Sequence, residues 1–184
     1  MYLAAEFGLL PISLEFKTSC YAGQVDSSKP PSATHLWLIL WRAYEALREH
    51  AERHIASLGL GFSDFAVLEY LFHKGPSPVN TIGTKVRLTS GSITSAVDRL
   101  ERKGMVHRRN HPVDRRARMV HLTAHGRKVI SSAFAAHEAA MERATAGLTP
   151  AERKRAAGLL RKLGLTAQSL LQAGSKNRAL SIGE

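Results

Sequence analysis

Residues 88–103, Leu-Thr-Ser-Gly-Ser-Ile-Thr-Ser-Ala-Val-Asp-Arg-Leu-Glu-Arg-Lys, constrain this chain more than any other stretch. Ile93, Ala96, Val97 and Leu100 fall at i, i+3, i+4 and i+7, an apolar stripe at helical period. Thr89 stands where an N-cap hydroxyl accepts from a backbone N–H one turn on. The opposite face carries Gly91, Ser95, Asp98 and Arg102, flanked by Ser92, Thr94 and Arg99. Such a helix buries one narrow side and presents short hydroxyls at its front and arginines at its end. Hydroxyls of that size can meet base edges, and arginines reach phosphates. A solvated amphipathic helix fits the same residues, so the neighbouring segments have to decide.

Immediately upstream, Val79, Ile82 and Val86 set out a short helix behind Pro78, joined to the first by the tight connection Arg87-Leu88. A short helix, a turn and a polar-fronted helix make a helix-turn-helix. Gly104 ends the second of these helices, and two strands follow at 105–109 and 118–122. Between them lies Asn110-His111-Pro112-Val113-Asp114-Arg115-Arg116-Ala117, a turn-rich basic tip, so the pair reads as a β-hairpin wing. The chain is thus expected to be mainly α with a small β-hairpin wing.

The flanks are helical. Leu36, Ile39, Leu40, Ala43, Leu47, Ala51 and Ile55 line a long helix over 33–58, widened by Trp37, Trp41 and Tyr44. That breadth predicts burial on more than one side. Ser63 is expected to cap the next helix, with Phe62 stapled to Val67 and a core of Phe65, Leu68, Leu71 and Phe72. Thr123 opens a further helix to about residue 146. Thr149-Pro150-Ala151-Glu152 is a capping box that starts the last one, with Ala156, Leu160, Leu163, Ala167, Leu170 and Leu171 on one face. Residues 1–32 have no steady period and read as a mobile N-terminal extension or, as the alternative, a dimer arm; 174–184 read as a disordered polar tail.

Charge narrows the function. The 184 residues carry a formal net charge of +11, which suits a polyanionic partner, nucleic acid or an anionic membrane surface. The charge is also concentrated. Lys85, Arg87, Arg99, Arg102, Lys103, Arg108, Arg109, Arg115, Arg116 and Arg118 face only Asp98, Glu101 and Asp114 in the same segment. Because that run coincides with a helix-turn-helix and a wing, double-stranded DNA is the expected partner. No apolar run approaches the roughly 18–20 residues of a membrane span, and the apolar N-terminus lacks a basic lead and carries Glu6, so neither membrane nor secretory signal is expected. The single cysteine, Cys20, excludes an intramolecular disulfide and fits a reducing cytoplasmic setting.

These residues carry a family resemblance. Phe65-Ala66-Val67-Leu68-Glu69, Ile82, Leu88 through Thr94, Val97-Asp98-Arg99-Leu100-Glu101-Arg102-Lys103-Gly104, Asp114-Arg115-Arg116 and Leu122-Thr123-x-x-Gly126 resemble, in order, the MarR family of bacterial transcription regulators. The resemblance implies a homodimer. Residues 33–60 and 123–173 would form a helical dimerisation region, and 61–122 a winged helix-turn-helix lobe with its fourth helix in the major groove and its wing in the minor groove. Carried over by position, Ser90, Ser92, Thr94 and Ser95 become the base-reading face, with Arg99 near phosphate or base. Arg115 and Arg116 lie at the wing tip, and Asp114 braces the wing by pairing with an arginine. A plain turn-forming role for Asp114 fits as well.

Within the family, residues 35–44, Gly75-Pro76 and Thr89 through Thr94 most resemble the branch that responds to hydroquinones and related aromatics. A small aromatic or phenolic ligand is therefore expected near Trp41, Tyr44 and His54. The peroxide-sensing branch keeps a reactive cysteine near the position of Trp37; Cys20 lies outside the matched region, so thiol sensing is not expected. His50 and His54 have zinc-ligand spacing, but no second cysteine or acidic set joins them, so neither metal nor cofactor is expected. The chain has no Gly-x-Ser-x-Gly, P-loop, His-Glu-x-x-His or paired catalytic carboxylates, which argues against an enzyme. The reading is a ligand-responsive repressor on a pseudo-palindromic operator; a non-specific nucleoid-type DNA coater is the alternative.

Overall fold

The computed structural model describes residues 30–110 and 118–180. Its elements run α1 (Ala33–Ser57), α2 (Phe62–Lys74), β1 (Ser77–Pro78), α3 (Val79–Val86), α4 (Ser90–Arg102), β2 (Val106–Asn110), β3 (Arg118–Leu122), α5 (Ala124–Ala144) and α6 (Pro150–Leu180). The chain divides into two units after Glu45, within α1. Among the described residues no single helix is long and apolar enough to cross a membrane.

In the first unit α1 starts where Ser32 Oγ accepts from the His35 N–H at 3.2 Å. Its apolar side chains are largely open: Leu36, Trp37, Leu38, Ile39, Trp41 and Tyr44 are all exposed, and the Trp37 and Trp41 rings lie 5.8 Å apart.

The second unit is built around α4. Ile93, Ala96, Val97 and Leu100 are at most 2% exposed and pack with Leu68, Leu71, Ile82, Val106, Val120 and Ile130 in one core. Burying four such positions along about two turns decides which face of the helix meets water. The turn from α3 is equally tight: Arg87 takes a left-handed φ of 57°, and Leu88 N–H donates to Gly83 O at 2.9 Å. Gly83 packs against Ile93, where a Cβ would stand 3.1 Å from Cγ2.

The expected hairpin is present as β2 antiparallel to β3, with Val106 opposite Leu122 and Asn110 opposite Arg118. The sheet has a third member. Ser77 and Pro78 pair with Val120 and Met119, giving the order β1-β3-β2. Proline is tolerated there because β1 is an edge strand.

Three helix starts behave as expected, Thr89 among them with its Oγ1 accepting from Ser92 N–H, and one does not. Thr123 Oγ1 accepts from Gly126 N–H at 2.9 Å, and Thr149 and Glu152 exchange the reciprocal bonds of a capping box, at 2.8 and 3.3 Å. Ser63, however, does not cap α2. The N-cap is Gly61 with no side-chain bond, and the helix begins at Phe62. The last helix runs on to Leu180, past the Gly174 at which the sequence reading begins a polar tail.

Candidate nucleic-acid interface

The outward side of α4 carries the residues that sequence reasoning assigns to base reading. Ser90, Ser92, Thr94 and Ser95 are all exposed. Thr89 organises the front: its Oγ1 accepts from Ser92 N–H at 3.2 Å and donates to Ser92 Oγ at 2.9 Å. Ser92 therefore keeps its own proton free to donate outward. Thr94 Oγ1 donates to Ser90 O at 2.9 Å, which leaves its methyl and a lone pair facing out. Gly91 adds no bulk, and a Cβ there would meet nothing within 4 Å.

The arginines divide into two groups. Arg99, expected near phosphate or base, reaches Asp64 with Nη2 at 2.6 Å and Nε at 3.2 Å from Oδ1, and Nη2 donates to Ser63 Oγ at 3.0 Å. Asp64 is 2% exposed and also receives Lys103 Nζ at 3.8 Å. The hydrogen bond to Asp64 raises the Arg99 pKa. Ser63 thus serves Arg99 and not a helix cap.

A second clamp sits on the other flank. Arg108 of β2 reaches Asp98 and Glu101 of α4, each at 2.5 Å, and its backbone N–H donates to Glu101 at 2.9 Å. That backbone bond, with the guanidinium, holds the Glu101 carboxyl below its usual range. Arg108 therefore ties β2 to α4. Within the basic run it is thus a neutralised member, held by two carboxylates. Lys85, Arg87, Arg102, Arg109 and Arg118 are exposed and form no ion pair among the described residues. Asp114, Arg115 and Arg116 lie outside the described residues.

The residues expected around a ligand are distributed. Trp41 and Tyr44 are exposed in the first unit. His54 belongs to the second, where its Nδ1 lies 3.3 Å from His137 Nδ1, and the His137 ring meets Phe65 edge-on at 5.1 Å. His50 Nε2 contacts Ala140 O at 3.2 Å. No group of three or more His, Cys, Asp or Glu suited to a metal occurs among the described residues.

Burial, then the neighbouring His54 and His50, lowers the His137 pKa; His121, stacked on His107, is lowered by burial, His107 and Arg109. A histidine depressed in the folded state adds stability above its unfolded value of about 6.5 and loses it as pH falls toward the folded value. Melting temperature is therefore expected to drop from pH 7 to pH 5, and His137→Gln to flatten that dependence. A melting temperature with the same pH dependence in both proteins would exclude His137 as a source.

A polar-fronted second helix, a tight turn and a braced β-hairpin define a winged helix-turn-helix protein. The sequence comparisons give the particular lineage. The MarR family model matches residues 63–117. The HTH-type transcriptional regulator MhqR of Bacillus subtilis (strain 168) is 38% identical over 133 residues, covering 72% of this chain and 92% of that relative. A probable transcriptional regulator from Pseudomonas aeruginosa has a similar crystal structure, with 29% identity, a TM-score of 0.60, and 68% and 94% of the two chains covered. Bordetella bronchiseptica BpsR, whose DNA binding is regulated by 6-hydroxynicotinic acid, aligns with 25% identity, a TM-score of 0.64, and 74% and 98% covered. The chain belongs to the MarR family of transcription regulators.

Proposed function

We propose that this regulator works as a homodimeric repressor that binds a pseudo-palindromic operator and is released by a small aromatic ligand. The observation that carries the DNA reading is the exposed hydroxyl row Ser90, Ser92, Thr94 and Ser95 on a helix whose other sides are buried or clamped. Dimerisation through 33–60 and the last two helices is supported by the apolar side chains left open on α1 and α6, among them Leu36, Trp37, Leu160, Leu163, Leu170 and Leu171. Two recognition helices held about 34 Å apart would enter successive major grooves. A ligand that favours another spacing lowers DNA affinity by its differential affinity for the two conformations. The aromatic class rests on the sequence likeness to the hydroquinone-responsive branch and on the aromatic effector of BpsR. Trp41, Tyr44 and His54 are its proposed contacts.

The test is to sequence the fragments of genomic DNA retained by the purified protein and to footprint the sites recovered. Discrete two-fold sites are expected; even protection along the DNA would replace the operator reading with a DNA coater.

Wing and helix should separate in their effects. Arg116→Ala is expected to weaken operators of similar flanking shape by a similar factor and to lower the salt slope by about one unit per wing, because minor-groove edges hardly distinguish A·T from T·A. Ser92→Ala should instead change base preference at one position per half-site, by about 1–3 kcal/mol, with the slope intact. Anisotropy titrations over a salt series measure both. Equal affinity and slope in Arg116→Ala and wild type would remove that arginine from the interface.

A further inference from the structure

We infer that Asp64 is a positioning residue for DNA reading: by gripping Arg99 and Lys103 from inside the lobe it fixes the roll of α4, and Arg99 belongs to the frame of the recognition helix and not to its phosphate contacts. This inference rests on the operator-binding function proposed above.

Asp64 lies in the first turn of α2, where a carboxylate suits the helix dipole, yet it is only 2% exposed. A buried carboxylate is tolerated when it is paired and hydrogen-bonded. Arg99 meets that need with Nε and Nη2, and Ser63 fixes the far side of the same Nη2. Were Arg99 to swing to a phosphate, Asp64 would keep only Lys103, at 3.8 Å. A solvent-exposed phosphate contact is a poor exchange for a stranded buried charge.

Position on the helix explains the consequence. Arg99 and Lys103, the latter the C-cap of α4, are one turn apart, and Asp98 and Glu101 hold Arg108 from the other flank. The apolar stripe sets the depth of α4 and its coarse orientation, and the grips on two flanks restrict the rotation about its axis that packing leaves. A rotation of the helix would carry the short hydroxyls of Ser92 and Ser95 away from base edges, since such side chains have no length with which to compensate.

The experiment measures affinity for the recovered operator and for a one-base-pair variant across a salt series, with folding and oligomeric state checked by circular dichroism and sedimentation. Asp64→Asn is expected to bind the operator about tenfold more weakly, the equivalent of one base contact, and to narrow the gap to the variant, with the salt slope unchanged. Ser63→Ala should act in the same direction, by about two- to threefold. The pair Asp64→Leu with Arg99→Met removes both charges at once, so it decides the matter should Asp64→Asn fail to fold. It is expected to lose affinity and keep the wild-type slope. Asp64→Asn binding as tightly as wild type or tighter would overturn the inference, as would a slope lowered by about one unit per protomer in the double variant, the mark of a lost phosphate anchor. A wild-type protein that selects no discrete sites would take down the operator reading and this one together; discrete sites with an unaffected Asp64→Asn would overturn this one alone.

Discussion

Gly126→Ala is expected to lose about 3 kcal/mol or more of stability and to melt about 6–12 °C lower, although alanine is the better helix former by about 1 kcal/mol. The reason is a joint between α5 and the turn ahead of β2. Met105 O accepts from Thr123 N–H at 3.0 Å, Thr123 Oγ1 donates to Gly104 O at 2.7 Å, and Gly126 N–H donates to Thr123 Oγ1 at 2.9 Å. A Cβ on Gly126 would stand 1.9 Å from Met105 O, whereas ordinary contact begins near 3.4 Å. The obstacle is backbone, so no side chain can step aside. Gly158→Ala in α6, where a Cβ meets nothing within 4 Å, is the control and should gain about 0.5–1 kcal/mol. Thermal denaturation followed by circular dichroism reads both; a Gly126→Ala protein melting with wild type would mean that the joint is looser than described.

A chain ended after Leu148 is expected to sediment as a monomer and to bind the operator about 10²–10⁴-fold more weakly. Deleting α6 removes Leu159, Leu160, Leu163, Leu165, Leu170 and Leu171, each exposed in the isolated protomer. Leu160, Leu163, Leu170 and Leu171 share one side of the helix, an arrangement that needs a second surface to cover it. Once monomeric, each lobe binds a half-site alone and loses the gain in effective concentration that a tethered partner supplies. A truncated chain that still sediments as a dimer would move the interface elsewhere.

Local rules made much of this legible in advance. The stripe Ile93, Ala96, Val97, Leu100 is a matter of period, and the caps at Thr89, Thr123 and Thr149 span three residues each, so sequence neighbours carry the whole signal. What escaped depends on distance along the chain. Asp64 and Arg99 are 35 residues apart, and nothing near Asp64 announces its burial. Ser63 looked like a cap because its partner on α4 is equally remote. β1 is two residues long and exists through pairing with β3, some forty positions on. Composition places Arg108 in the basic run because it records charge and not the two carboxylates that hold it.

The grips on α4 have a consequence for how such regulators diversify. Asp64, Ser63 and Arg108 hold the helix through Arg99, Asp98 and Glu101 and form no bond to the hydroxyls of Ser90, Ser92, Thr94 and Ser95 among the described residues, where the hydroxyl bonds are local to the first turns. Mutations in that row therefore carry little structural penalty. After gene duplication, two copies could drift to different operators one residue at a time, each intermediate still folded. The scaffold would stay under purifying selection while the row explored new DNA.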